Sequence, residues 1–220
     1  MIDLHSHTLL SDGELLPAEL ARRAEAAGYR ALAFTDHADS STLDETLKTL
    51  IKAVEDLATH FQMRLLAGVE LTHCPPAQIA GMVKDARSLG AGIVIVHGET
   101  IVEPVREGTN AAAIEAGADI LAHPGLITDD EAKMAARRNV CLEISARAGH
   151  SLANGLVAAA ARRAGAALTF GTDTHSPRDI VSREQAERIA RGAGLDDREI
   201  EEMFGRGWRF FLRGDGGMRA

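Results

Sequence analysis

His5 and His7 stand two residues apart where a short apolar stretch, 2–4, ends. In an extended chain, side chains two apart project the same way, so both imidazoles could reach one ion. Asp12 follows in a Ser-Asp-Gly turn that can fold a carboxylate back over the strand end. Two surface histidines and a turn aspartate would be the plainer reading of this stretch alone. The rest of the chain argues against it, because ligating residues recur where later apolar runs close: His37, Glu70, His97, His123, Asp173 and His175. The nine residues offer imidazole and carboxylate but no sulfur, a mixture that suits Zn, Mn or Fe. One ion needs three or four donors, so nine imply two or three divalent ions. Clustered ions bridged by a carboxylate suit the hydrolysis of phosphate esters. They lower the pKa of a bound water, hold the ester oxygens and neutralise charge on the leaving group.

Seven apolar runs must position these residues: 2–4, 31–34, 63–69, 93–96, 119–122, 140–144 and 167–170. Continuous runs of this length suit strands buried on both faces, as in parallel sheets. Helical patterns are expected between and after them at 17–27, 43–60, 76–89, 110–116, 129–138, 151–164, 182–191 and 196–204. Pro17 suits a first helical turn, Gly28 a stop, and Ser41 and Ser151 suit caps. Alternating βα units allow an open doubly wound sheet or a closed barrel. An open sheet gathers residues from two or three strands at one switch point, whereas ligands here end six of the seven runs. Only a ring brings six strand ends around one centre, so a seven-stranded variant of the TIM barrel is expected. One domain over 1–212 is expected, with a loose tail at 213–220.

Composition narrows the partners. The chain has 220 residues, 45% of them hydrophobic and 25% charged, as in an ordinary globular protein. A net charge of -8 argues against nucleic acid as the default partner. Cys74 and Cys141 are isolated, which suggests neither a disulfide framework nor a thiolate zinc site and fits a reducing cytoplasm. No signal-peptide pattern opens the chain, and no apolar run approaches membrane-spanning length. A cytoplasmic protein with no membrane partner is the expectation; the oligomeric state is open.

The motifs HSHTLLSDG, TDH, GVE, the lone His97 after a strand, HPG and GTDTH occur in the order and spacing of the PHP (polymerase and histidinol phosphatase) family. The resemblance spans 1–178. It implies a distorted (βα)7 barrel carrying up to three metals, and the family's members include histidinol-phosphate phosphatases. Residue by residue, it implies that His5, His7, Glu70 and Asp173 surround one ion. Glu70 would bridge to a second held by His97 and His123, and Asp12, His37 and His175 would hold a third. Some members carry His where this chain has Asp12.

The expected activity is hydrolysis of a small phosphomonoester, histidinol-phosphate-like or nucleotide-like, by metal-bound hydroxide. Glu70, Asp173, His175 and Arg147 are expected to carry the chemistry, with Arg147 clamping the phosphate and Arg178 as its runner-up. An amidohydrolase-like C–N hydrolase is the alternative, although such enzymes more often place a bridging lysine where this chain has His97. A metal-bound accessory module is the third reading, opposed by the complete ligand set. His60 reads as a surface residue, His73 as a pocket residue rather than a ligand, and His150 as a substrate contact or a structural residue. Asp36 could orient an imidazole through its other nitrogen or simply bond the backbone, and Glu143, inside an apolar strand, could support a ligand or line the barrel interior.

Overall fold

Each apolar run becomes a strand, and the patterned stretches between them become helices. In chain order these are β1 (Ile2–Asp3), α1 (Pro17–Ala26), β2 (Ala31–Phe34), β3 (His37–Ala38), α2 (Leu43–Leu57), β4 (Arg64–Leu71) and α3 (Pro76–Ser88). Then follow β5 (Ile93–His97), α4 (Thr109–Glu115), β6 (Ile120–Ala122), α5 (Asp129–Arg138), β7 (Cys141–Ser145) and α6 (Asn154–Ala164). The order closes with β8 (Leu168–Gly171), α7 (Arg183–Gly192), α8 (Asp197–Arg206) and α9 (Trp208–Arg213). This computed structural model describes residues 1–213. The expected loose tail, 213–220, lies outside the described residues except for residue 213, which ends α9.

The strands are parallel and ordered β1-β2-β4-β5-β6-β7-β8, with the two-residue β3 pairing to β4. The sheet curls until its ends nearly meet. A parallel bridge joins Ser6 to Thr174, and the Asp173 and His7 amides donate to His5 and Thr174 carbonyls. A nearly closed TIM-like barrel results, as expected from the seven apolar runs. Asp3 strengthens the joint between the first and last strands. Its fully buried carboxylate accepts hydrogen bonds from the Thr172 amide, the Thr172 hydroxyl and the His5 amide.

Strand alternation divides the core. Leu32, Phe34, Val94, Val96 and Leu121 pack outward against the helices. Ala31, Ala33, Ile93, Ile95, Ile120 and Ala122 form an inner cluster with Phe210 and Phe211 of α9. Farther along the same strands, Glu143 and His97 replace the apolar inner residues, so the interior is apolar below and polar above.

Helix ends follow local chemistry. Pro17 opens α1, and Gly28 follows its end at φ +83°. Reciprocal Thr128–Glu131 and Asp196–Glu199 capping boxes start α5 and α8. Two expected caps are corrected. Thr42, without a side-chain cap bond, precedes α2, and Ser41 instead donates to Asp39. Ser151 lies in a 3-10 turn (His150–Ala153), and α6 starts only at Asn154. Asn154 uses its side chain to bond both polar backbone groups of Ser145, tying the turn to β7. Among the described residues, no helix is long and apolar enough to cross a membrane.

Candidate metal centre

Every ligand candidate sits at the carboxyl ends of the strands. His5 and His7 leave β1, His37 opens β3, and Glu70 is within β4. His97 ends β5, His123 follows β6, and Asp173 and His175 follow β8. Glu70 is central and fully buried. One of its oxygens, Oε2, lies 3.3 Å from His5 Nε2, 3.6 Å from His7 Nε2 and 2.8 Å from His37 Nδ1. Its Oε1 lies 3.5 Å from His123 Nε2. Asp173 approaches His7 Nε2 at 3.2 Å, His5 Nε2 at 3.9 Å and His123 Nε2 at 3.7 Å. At the solvent edge, Asp12 Oδ1 faces His175 Nε2 at 3.1 Å and His37 Nε2 at 3.5 Å.

Several supporting contacts fix these side chains. Glu143, from inside β7, accepts from His5 Nδ1 at 2.8 Å and from the His123 amide at 3.1 Å. That leaves His5 Nε2 aimed at Glu70 and sets the tautomer that a metal ligand needs. Gly171 makes room for this pair, since a Cβ there would sit 2.0 Å from Glu143 Oε1 and 2.8 Å from His5 Cβ. Asp36 departs from its expected role. It accepts from the Thr8 amide and from the Thr8 and Ser11 hydroxyls, so it braces the loop that carries Asp12 instead of an imidazole. Gly13 completes that turn under the His7 carbonyl, where a Cβ would come within 2.5 Å. Thr72 Oγ1, 2.6 Å from His37 Nδ1, orients that ring.

The donors fit a cation. His5 Nε2 and both nitrogens of His7 are buried without an aligned hydrogen-bond partner. Bare buried polar atoms cost ~1–3 kcal/mol each, a penalty that a divalent ion held there would remove. Charge points the same way. Burial, despite the pull of Asp173, holds His7 down at about 3, so its imidazole is neutral. Burial opposes ionisation of Glu70, but His5 and His37 hold its carboxyl well below the usual range. Burial likewise opposes charging of His5, yet the Glu143, Glu70 and Asp173 carboxylates raise it well above an ordinary histidine. The excess negative charge thus draws a positive charge to the position between these residues.

Above the floor lies a cavity of about 190 Å³, bounded by residues including Asp12, His37, His97, Arg147, His150 and His175. Arg147 is in its wall, with its guanidinium donating to the Asp173 carbonyl at 3.2 Å and lying 2.7 Å from His175 Nδ1. Arg178 is exposed and does not line the cavity, so of the two arginines the fold places only Arg147 at the mouth. His60 is exposed, as expected.

Three further residues enter the cavity wall. Glu103 lies in the long loop after β5, with Oε2 3.0 Å from His97 Nε2. His150 is buried, and Thr100 Oγ1 lies 2.7 Å from its Nδ1. His73 faces Glu103 at 3.5 Å. Nothing in the stretch GETIVEPVREG distinguishes Glu103 from a solvated loop acid. For His73 and His150 the residue type was the only signal.

The PHP domain family model matches residues 3–136, more than half of the chain. The chain belongs to the PHP domain family. This PHP domain is 47% identical over 201 residues to an uncharacterized protein of Methanocaldococcus jannaschii, covering 90% of this chain and 92% of that one. In fold it is similar to a chain of archaeal ribonuclease P solved with mature tRNA, with a TM-score of 0.75 and 16% identity over 100% of this chain and 94% of that one. It is also similar to a candidate histidinol phosphatase of Listeria monocytogenes, with a TM-score of 0.57 and 11% identity over 82% and 97% of the two chains. The PHP match spans HSHTLLSDG, TDH, GVE and HPG and, with the TIM-like architecture, agrees with the resemblance that they carry; GTDTH lies beyond the matched residues.

Proposed function

We propose that this PHP domain is a metal-dependent hydrolase of a small phosphomonoester, histidinol-phosphate-like or nucleotide-like. The observation that carries this reading is the cavity: buried imidazoles and carboxylates form its floor, and one guanidinium stands in its wall. Two or three divalent ions, Zn, Mn or Fe, would be held by His5, His7, Asp12, His37, Glu70, His97, His123, Asp173 and His175. Bound there, the ions would supply Lewis acidity and activate water. Glu70, Asp173 and His175 hold the reacting region in place, and Arg147 receives the phosphate. Cys74 and Cys141 are buried away from the cavity, and Thr72 is committed to His37. With no cysteine or serine among the residues that line the cavity, water attacks phosphorus directly, the P–O bond to the leaving alcohol breaks, and that alcohol takes a proton. Hydrolysis in ¹⁸O-labelled water is expected to place one solvent oxygen in phosphate within a single turnover. A trapped phosphorylated side chain on the pathway would contradict it.

Arg147 favours this reading over C–N hydrolysis, because a planar guanidinium suits a phosphate dianion and a neutral amide offers no matching charge. Arg147→Ala is expected to lower kcat/KM for phosphomonoesters by roughly thirty- to two-hundredfold, about 2–3 kcal/mol, with metal content unchanged. Steady-state kinetics beside elemental analysis check this. A near-wild-type Arg147→Ala with a crippled Arg178→Ala would transfer the clamp to Arg178.

A further inference from the structure

His97 turns Nδ1 to the Gly98 carbonyl, 3.1 Å away, and presents Nε2 to an outer cluster. Glu103 Oε2 lies 3.0 Å from His97 Nε2 and 3.5 Å from His73 Nε2, while Glu103 Oε1 lies 3.4 Å from His150 Nε2. The donor atoms of His73, His97 and Glu103 lie within 4.8 Å of one another, as do those of His97, His123 and His150. Donors about 2.0–2.2 Å from a shared tetrahedral ion stand roughly 3.3–3.6 Å apart; Glu103 meets His73 and His150 at that spacing and His97 slightly closer.

Two further features show that this cluster is built into the fold. His73 adopts φ +52°, a left-handed backbone uncommon outside glycine. Among the described residues, the other non-glycine positions with positive φ are His123 and Asp173, both in the proposed centre, and Asn139, which caps α5. Strain of this kind concentrates where a side chain must be aimed. The loop carrying Glu103 is anchored twice just before that residue. Thr100 Oγ1 contacts His150 Nδ1, and Val102 packs against Gly149, where an added Cβ would lie 3.3 Å from its side chain. Neither contact needs Glu103, yet together they hold its carboxylate against three imidazoles.

We infer that His73 and Glu103 join His97 in holding a divalent cation at the outer edge of the cavity, with His150 facing the same carboxylate. This rests on the metal-centre reading above and extends it by two ligands that the nine do not include. The outer position is the more solvent-accessible one, since the His73 and Glu103 side chains are 46% and 37% exposed. It therefore exchanges its ion more readily than the buried positions.

The test is Mn²⁺ binding to chelator-stripped full chain, followed by calorimetry and elemental analysis, for wild type, His73→Ala, Glu103→Gln and the double variant. Each single variant is expected to weaken one binding event at least tenfold, and the double variant to lose one equivalent. The remaining equivalents and the metal-free thermal midpoint should not change, because both side chains are partly exposed. If the variants bind Mn²⁺ with wild-type number and affinity, the inference is overturned while the inner centre stands. If wild type binds no Mn²⁺, Zn²⁺ or Fe²⁺, the metal-centre reading falls and this inference with it. Loss of phosphate release with unchanged binding in wild type would count against the phosphoesterase alone.

Discussion

Glu70→Gln is expected to reduce phosphoester hydrolysis at least about a thousandfold, ~4 kcal/mol of transition-state stabilisation, and to lower the number of bound ions. The carboxylate is fully buried and lies within 3.6 Å of nitrogens from His5, His7, His37 and His123. Gln matches its size but removes the charge that balances a cation. It also replaces one acceptor oxygen with N–H donors in the midst of four imidazoles. Elemental analysis of protein purified without chelator, read beside steady-state rates, checks both effects. His60→Gln is the control, because His60 is exposed in the 3-10 turn after α2, and it should match wild type. A Glu70→Gln protein with wild-type ion content and rate would remove Glu70 from the centre.

The largest stability effect is expected at the seam of the barrel. Asp3→Ala should destabilise metal-free protein by about 3 kcal/mol. It strips the acceptor from two backbone amides, Thr172 and His5, and from the Thr172 hydroxyl, all buried. The two Thr172 bonds join the first strand to the segment after the last, where regular ladder pairing gives way to the isolated Ser6–Thr174 bridge. Part of the loss is offset, because burial already pushes the Asp3 carboxyl up to about 6 and makes its charge costly. Asp3→Asn keeps an oxygen for both amides, and the Thr172 hydroxyl has Thr174 as a second partner, so it should lose less than half as much. Urea unfolding of the three proteins decides this. A wild-type midpoint for Asp3→Ala would show that the seam does not depend on the carboxylate.

Most of the architecture was legible because each inner strand lies in a short, mainly apolar run, and such runs pair in parallel with few alternatives. The metal-ligand candidates were legible for a related reason. A histidine or acid that ends a buried run has no solvent route except through the barrel mouth, so its residue type carries information about function. Short elements gave no such signal. His37–Ala38 forms β3 only because β4 is already extended beside it, and α9 is a six-residue helix whose Phe210 and Phe211 matter only once a ring exists for them to fill. Asp36 and Asp3 are acids whose partners lie far off in sequence, at Thr8 and Thr172, and no local pattern foretells which amide a buried carboxylate will meet. Glu103 is the extreme case. Its loop has neither periodicity nor motif, and only the docking of Thr100 and Val102 brings it to His97.

Phosphate release measured against equivalents of bound metal tests the central claim most directly. Chelator-stripped protein is titrated separately with Mn²⁺, Zn²⁺ and Fe²⁺, and at each step a panel of phosphomonoesters and nucleotides is assayed together with elemental analysis. At least one ester is expected to be hydrolysed with at least one metal, with activity emerging only as occupancy rises above one ion per chain. A protein loaded with two or more equivalents that releases no phosphate from any ester, or one fully active at a single equivalent, would contradict it.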